Sequence, residues 1–155
     1  MLVALAAAAS ACDAVRDHWP ERAPLARADD TLRPTIALSV WVEPDGGAVK
    51  PVSELPRASI VHERLARTLR TTDLFREVVL EPAPAEWRAR VRVSVQDDGV
   101  PAEVELRLED GAGASVFSGE EDSRRVRHGV DPVPEVLRVL LRRAEAEGVW
   151  RRGAR

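Results

Sequence analysis

The stretch from Trp87 to Glu109 limits the possible folds more than any other part of the chain. Trp87, Ala89, Val91, Val93 and Val95 alternate with Arg88, Arg90, Arg92, Ser94 and Gln96. Side chains two residues apart share one face of a strand, so the pattern predicts a strand with one buried side and one wet side. Asp97-Asp98-Gly99 supplies turn chemistry. Val104, Leu106 and Leu108 then point one way, and Glu103, Glu105, Arg107 and Glu109 the other. In an antiparallel hairpin, matching the two apolar sets places odd positions of one strand opposite even positions of the other, because a one-residue slip would turn either set into water. Arg88, Arg90 and Arg92 then lie beside or diagonal to Glu103, Glu105 and Glu109. Opposite charges across strands contribute roughly 0.2–1 kcal/mol per pair, so most of the arginine row is answered next door.

The same period recurs upstream, where Ile36, Leu38, Val40 and Val42 alternate within Thr35–Val42 and Pro44-Asp45-Gly46-Gly47 ends the run. A helix is expected over 55–72, with Pro56 tolerated in its first turn. Ala58, Val61, Leu65, Leu69 and Thr72 form its inner stripe, and Arg57, Glu63, Arg64, Arg67 and Arg70 face water. Asp73–Leu80 leaves the helix for a short strand, and Pro82 and Pro84 break the chain. After the turn at Asp110-Gly111-Ala112-Gly113, another strand begins at Ala114 and continues weakly towards Val126. Asp131 caps a last helix with Pro132 at its first position. Its stripe is Val133, Val136, Leu137, Leu140, Leu141 and Ala144, and Gly148 stops it. The β-α-β-β-β-α order, with or without a further strand before the last helix, implies an α+β fold. It predicts a mostly antiparallel four- to five-stranded sheet with two helices on one face and the other face open to solvent. At 155 residues and 45% hydrophobic the chain supports one core, and residues 35–150 are read as a single domain.

Ahead of it lies the one long apolar run, Met1 to Ala11, which ends at the lone cysteine Cys12 before Asp13. At about eleven residues it is well short of the roughly 20 that span a bilayer. Ala9-Ser10-Ala11-Cys12 resembles the lipobox of bacterial lipoproteins, in which small residues precede an acylated cysteine. The resemblance implies a signal peptide over 1–11, cleavage between Ala11 and Cys12, a diacylglycerol on the Cys12 thiol with acylation (palmitate) of the new amine, and a lipid-attached tether over 12–34. An ordinary signal peptide, or a buried alanine-rich helix with an incidental cysteine, also fits the composition. The coincidence of the only cysteine with the end of the apolar run favours the lipoprotein reading.

A single cysteine excludes an internal disulfide and any multi-cysteine metal site. His18, His62 and His128 fall in the tether, on a helix and in a loop, without ligand spacing, and His62 is read as a helix-surface partner of Glu63. There is no phosphate-binding glycine loop and no nucleophile beside a base, so neither an enzyme nor a cofactor is expected, apart from the covalent lipid on Cys12. Lys50 is the only lysine among 23 basic residues, and the arginine preference runs through the whole chain. Arg124, Arg125, Arg127, Arg142, Arg143, Arg151 and Arg152 are candidates for an anionic partner, although a chain-wide compositional bias explains them better. Aromatic residues are not interleaved with the arginines, so nucleic acid is not an expected partner. Trp41 lies opposite the face that buries Val40 and Val42, where a large aromatic serves as an interface anchor or is covered by a loop. Phe117 is placed beside it, with Val116 competing for the inward position. Trp41, Phe117 and the row Arg88, Arg90 and Arg92 are therefore the candidate partner-binding residues, and oligomeric state is not legible.

Leu65-Ala66-Arg67-Thr68-Leu69-Arg70-Thr71-Thr72-Asp73-Leu74-Phe75-Arg76-Glu77-Val78-Val79 resembles a helix-to-strand passage of small bacterial envelope lipoproteins. Leu106-Arg107-Leu108-Glu109-Asp110-Gly111 followed by Ser115-Val116-Phe117-Ser118-Gly119 resembles their strand-turn-strand repeat. In layout the chain is similar to auxiliary lipoproteins of ABC-type lipid transporters, the lipopolysaccharide-assembly lipoprotein and TolB amino-terminal domains. The resemblance implies a non-enzymatic accessory or assembly subunit of an envelope transport complex, on the periplasmic side of either membrane of a Gram-negative cell. The alternative is a secreted soluble α+β domain that binds a small or anionic ligand through its arginines.

Overall fold

The computed structural model describes residues 33–44, 46–54, 58–96, 100–125 and 131–150. β1 (Thr35–Pro44) is the pivot of the sheet. It pairs antiparallel with β2 (Lys50–Pro51), parallel with β3 (Glu77–Leu80), and parallel over its length with β4 (Trp87–Val95). β4 continues antiparallel to β5 (Pro101–Glu109), and β5 to β6 (Ser115–Asp122). Helix α1 (Ala58–Arg70) connects β2 to β3, and α2 (Pro132–Ala146) closes the domain. The fold is α+β, with a mixed and mostly antiparallel sheet. Among the described residues six strands form where four to five were expected, because a two-residue bridge at Lys50–Pro51 extends the edge of β1.

β3 and β4 both run parallel to β1 on its opposite sides, so the connection between them must pass across β1. It is pinned there by the Glu81 N–H on the Leu38 carbonyl at 3.1 Å and the Glu86 N–H on the Thr35 carbonyl at 3.0 Å. Ala37 and Ser39 are buried although their alternation turns them away from the core side. The face expected to be open is thus closed along the first half of β1.

The helix-facing layer contains Ile36, Leu38 and Val40 of β1, Trp87, Ala89, Val91 and Val93 of β4, and Val104, Leu106 and Leu108 of β5. Leu65, Ala66 and Leu69 of α1 and Val136, Leu137, Leu140, Leu141 and Ala144 of α2 close over it. Asp131 caps α2 by accepting the Val133 N–H, with Pro132 next in the chain. At the other end the Gly148 N–H bonds the Glu145 carbonyl at 2.9 Å and the Val149 N–H the Ala144 carbonyl at 3.1 Å. This is a Schellman closure, and it needs the left-handed φ of 78° that Gly148 adopts. The closure turns Trp150 back into the core. There it stacks on Trp87 with ring centroids 5.3 Å apart and meets Phe75 edge-on at 5.3 Å.

Phe117 corrects the sequence reading. It is buried in the core, and Val116 is the half-buried neighbour. A register shift at Leu108/Glu109 sets Phe117 opposite Leu108. Directly opposed residues of an antiparallel pair point to the same face, so the bulge turns the ring towards the helices. Gly119, next on that face, leaves the room it needs: an added Cβ would stand 2.8 Å from Phe117 Cζ and 3.3 Å from Leu140 Cδ2.

Candidate functional site

The face opposite the helices carries the arginine row and Trp41. The hairpin register is the one that apolar matching requires, with Val91 opposite Leu106, Arg92 opposite Glu105 and Arg88 opposite Glu109. Arg90 stands opposite Arg107, a like-charge pair. Glu109 resolves it by accepting both, from Arg90 Nη2 at 3.3 Å and Arg107 Nε at 3.3 Å. Its carboxylate is buried between two half-exposed guanidiniums. Arg92 reaches Glu105 at 2.8 Å and Glu43 of β1 at 3.5 Å, and Arg88 reaches Glu81 of the crossing connection at 3.6 Å. Every arginine of the row therefore has a carboxylate. Glu43, Glu81 and the hub role of Glu109 were not anticipated, because the first two come from β1 and from a connection whose path over β1 no local pattern encodes.

Trp41 is 37% exposed at the far end of β1, in register with Arg92 on one side and Pro51 on the other. Val49, two residues before Pro51, is also exposed. The β1–β2 end of this face is thus its apolar end, next to a neutralised ion-pair row. Between the two, Ser39 Oγ is buried and has no hydrogen-bond partner among the described residues.

The second arginine group is likewise engaged where it is described. Arg124 grips Asp122 through Nε and Nη2 at 2.9–3.2 Å, which raises its pKa above the ordinary guanidinium value, and Arg143 Nη2 holds Glu121 Oε2 at 2.7 Å. The Arg125 side chain and Arg127, Arg151 and Arg152 lie outside the described residues, as do Ala11, Cys12, His18 and His128. His62 is half-buried on α1, and burial lowers its pKa. Its expected partner Glu63 instead accepts from Arg70 Nη1 at 3.2 Å, since adjacent helix positions do not face each other. Near the start of β1, Glu86 accepts the Thr35 N–H at 2.6 Å and Arg76 Nη2 at 2.7 Å. The backbone N–H first, and the guanidinium with it, hold its carboxyl below the usual range. Among the described residues no group of three or more His, Cys, Asp or Glu is placed to hold a metal ion. No helix among them is long and apolar enough to cross a membrane.

No protein-family model matches the chain, and no curated protein matches it. Among solved structures it is similar to a dodecamer of a PelC point variant from Paraburkholderia phytofirmans. The identity is 22% and the TM-score 0.41, over 84% of this chain and 92% of that one. The likeness is distant and concerns the fold.

Proposed function

We propose that this chain is a non-enzymatic, lipid-anchored periplasmic lipoprotein that serves as an accessory or assembly subunit of an envelope transport complex. The observation that carries the reading is the position of its only cysteine, Cys12, at the end of the apolar run and behind Ala9-Ser10-Ala11. Cys12 holds the lipid, and the β1–β2 end of the open face, with Trp41 as anchor, meets the partner. The arrangement of that face supports the second half. Its charges neutralise one another, and an exposed indole stands beside them, as in an interface with an aromatic anchor and a polar rim.

Palmitate labelling and membrane fractionation of wild type against Cys12→Ser test the anchor. Label and membrane association are expected in wild type only, and an unlabelled, soluble wild-type protein overturns the claim. Trp41→Ala is expected to lower co-purification of envelope proteins with the lipidated chain while leaving Tm within about 2 °C. A large fall in Tm would return Trp41 to a purely structural role.

A further inference from the structure

Among the described residues one long sheet edge has no neighbouring strand. The outer side of β1 is flanked by β3 and β2. β3 is short, and Arg70 Nη2 of α1 donates to its Val78 carbonyl at 3.3 Å. β6 has β5 on one side only. Its outward groups follow from the ladder. The Asp110 N–H bonds the Ala114 carbonyl at 3.0 Å, and hydrogen-bonded and non-bonded pairs alternate along an antiparallel pair. Leu108, Leu106 and Val104 therefore share hydrogen bonds with Phe117, Gly119 and Glu121, and the main-chain groups of Ser118 and Glu120 point away from the sheet. Arg143 Nη1 on the Glu120 carbonyl at 3.3 Å agrees with that direction.

The charge along this edge is asymmetric. Ser115 to Gly119 carry none, and Glu120, Glu121 and Asp122 follow. A second β6 added in parallel would set acid beside acid. Added antiparallel about Ser118, it sets Glu120 opposite Val116 and Asp122 opposite Ala114 of the copy, with no like charges opposed. We propose that β6 pairs antiparallel with β6 of a second copy of this chain across a two-fold axis at Ser118, continuing the sheet through a dimer. Arg143 acts as a latch on the free edge, and the pairing displaces its one contact to the Glu120 carbonyl. The dimer rests on neither the anchor nor Trp41.

Sedimentation velocity of the full chain carrying Cys12→Ser, so that no lipid drives association, tests it. A concentration-dependent dimer is expected. Ser118→Pro removes an N–H that faces outward, so β5 pairing and Tm are retained while dimerisation weakens by at least about tenfold. Ser118→Lys and Ser118→Glu each place like charges across the axis and weaken the dimer roughly two- to fivefold, and an equimolar mixture restores it. This pair keeps the test decisive should the proline variant fail to fold. Arg143→Gln is expected to tighten the dimer. The proposal falls if the chain stays monomeric up to about 1 mM, if a dimer survives Ser118→Pro unchanged, or if the charge-swapped mixture associates no better than its components. Weaker association of Arg143→Gln removes the latch.

Discussion

Glu109→Gln is the sharpest probe of the open face. The substitution keeps the shape and removes the charge. Glu109 is a buried carboxylate that accepts from Arg90 at 3.3 Å and from Arg107 at 3.3 Å, and these two arginines stand opposite each other in the β4–β5 ladder. Both guanidiniums are half-exposed, so each contact is worth nearer the surface value of about 0.2–1 kcal/mol than the 3–5 kcal/mol lost when a fully buried pair is broken. The substitution also leaves two like charges opposed without a counter-ion, a further 0.2–1 kcal/mol or so. Together these give about 0.6–3 kcal/mol. With an unfolding entropy near 2.1 cal/mol/K per residue over a domain of this size, each kcal/mol moves Tm by about 4 °C, so a fall of roughly 2–12 °C is expected. A double-mutant cycle with Arg107→Gln isolates the network. The double variant should be less destabilised than the sum of the singles, because removing Arg107 also removes the repulsion that Glu109 masks. Chemical denaturation at low and high salt reads both quantities. A Glu109→Gln variant within about 0.5 kcal/mol of wild type, or strict additivity in the cycle, would refute the argument that this carboxylate holds the row together.

Trp150→Ala is expected to cost about 3–5 kcal/mol, since it opens a hole between Trp87 and Phe75. Trp150→Phe should cost far less, because the indole Nε1 is buried with no partner among the described residues; equal losses in thermal melts would mean that the N–H is satisfied. Glu86 has a folded-state pKa below its unfolded value, so its contribution is present above the ordinary carboxylate range and is lost as pH falls through the folded pKa. Glu86→Gln should therefore flatten the acid limb of stability against pH, and parallel wild-type and variant curves would remove the role of the Thr35 N–H and Arg76. Partner capture through Trp41 should change little between about 50 and 300 mM salt, because the charges around it are internally paired and the remaining contact is apolar. A steep loss with salt would instead favour an anionic ligand held by the arginines.

What was legible in the sequence followed from local periodicity. The β4–β5 register, the inner stripe of α2, its Asp131 cap and its Gly148 stop all come from the spacing of apolar residues and from cap chemistry within a few positions. What was not legible depends on partners distant in sequence. Nothing in Thr35–Val42 says that it will lie parallel to Trp87–Val95, because an alternating strand is compatible with either neighbour direction. Phe117 was misplaced because a bulge shifts the phase of alternation by one residue between the Asp110–Ala114 turn and the rest of β6. Trp150 lies past the helix stop, so no stripe includes it. Only the Schellman geometry shows that the chain doubles back there. At the candidate site Trp41 was legible from phase alone. The burial of Ser39 and Ala37 beside it was not, since the 81–86 connection crosses the strand there.

These details change what the open face is able to do. As a sequence, the row Arg88, Arg90 and Arg92 reads as a stripe mostly answered by the glutamates of the facing strand. In the fold, the stripe sits between acids from β1, β5 and the crossing connection, and each guanidinium has a carboxylate within 3.6 Å. An incoming anion would have to displace a carboxylate already in place, and the exchange leaves little net gain in energy. Apolar surface is not cancelled in this way: an exposed indole, with Val49 and Pro51 nearby, gains on burial whatever its charged neighbours do. The ion-pair row is then an electrically quiet floor beside Trp41, which stands in register with Arg92. The partner surface proposed above then lies at the β1–β2 end of the sheet, far from the β6 edge where a second copy would add.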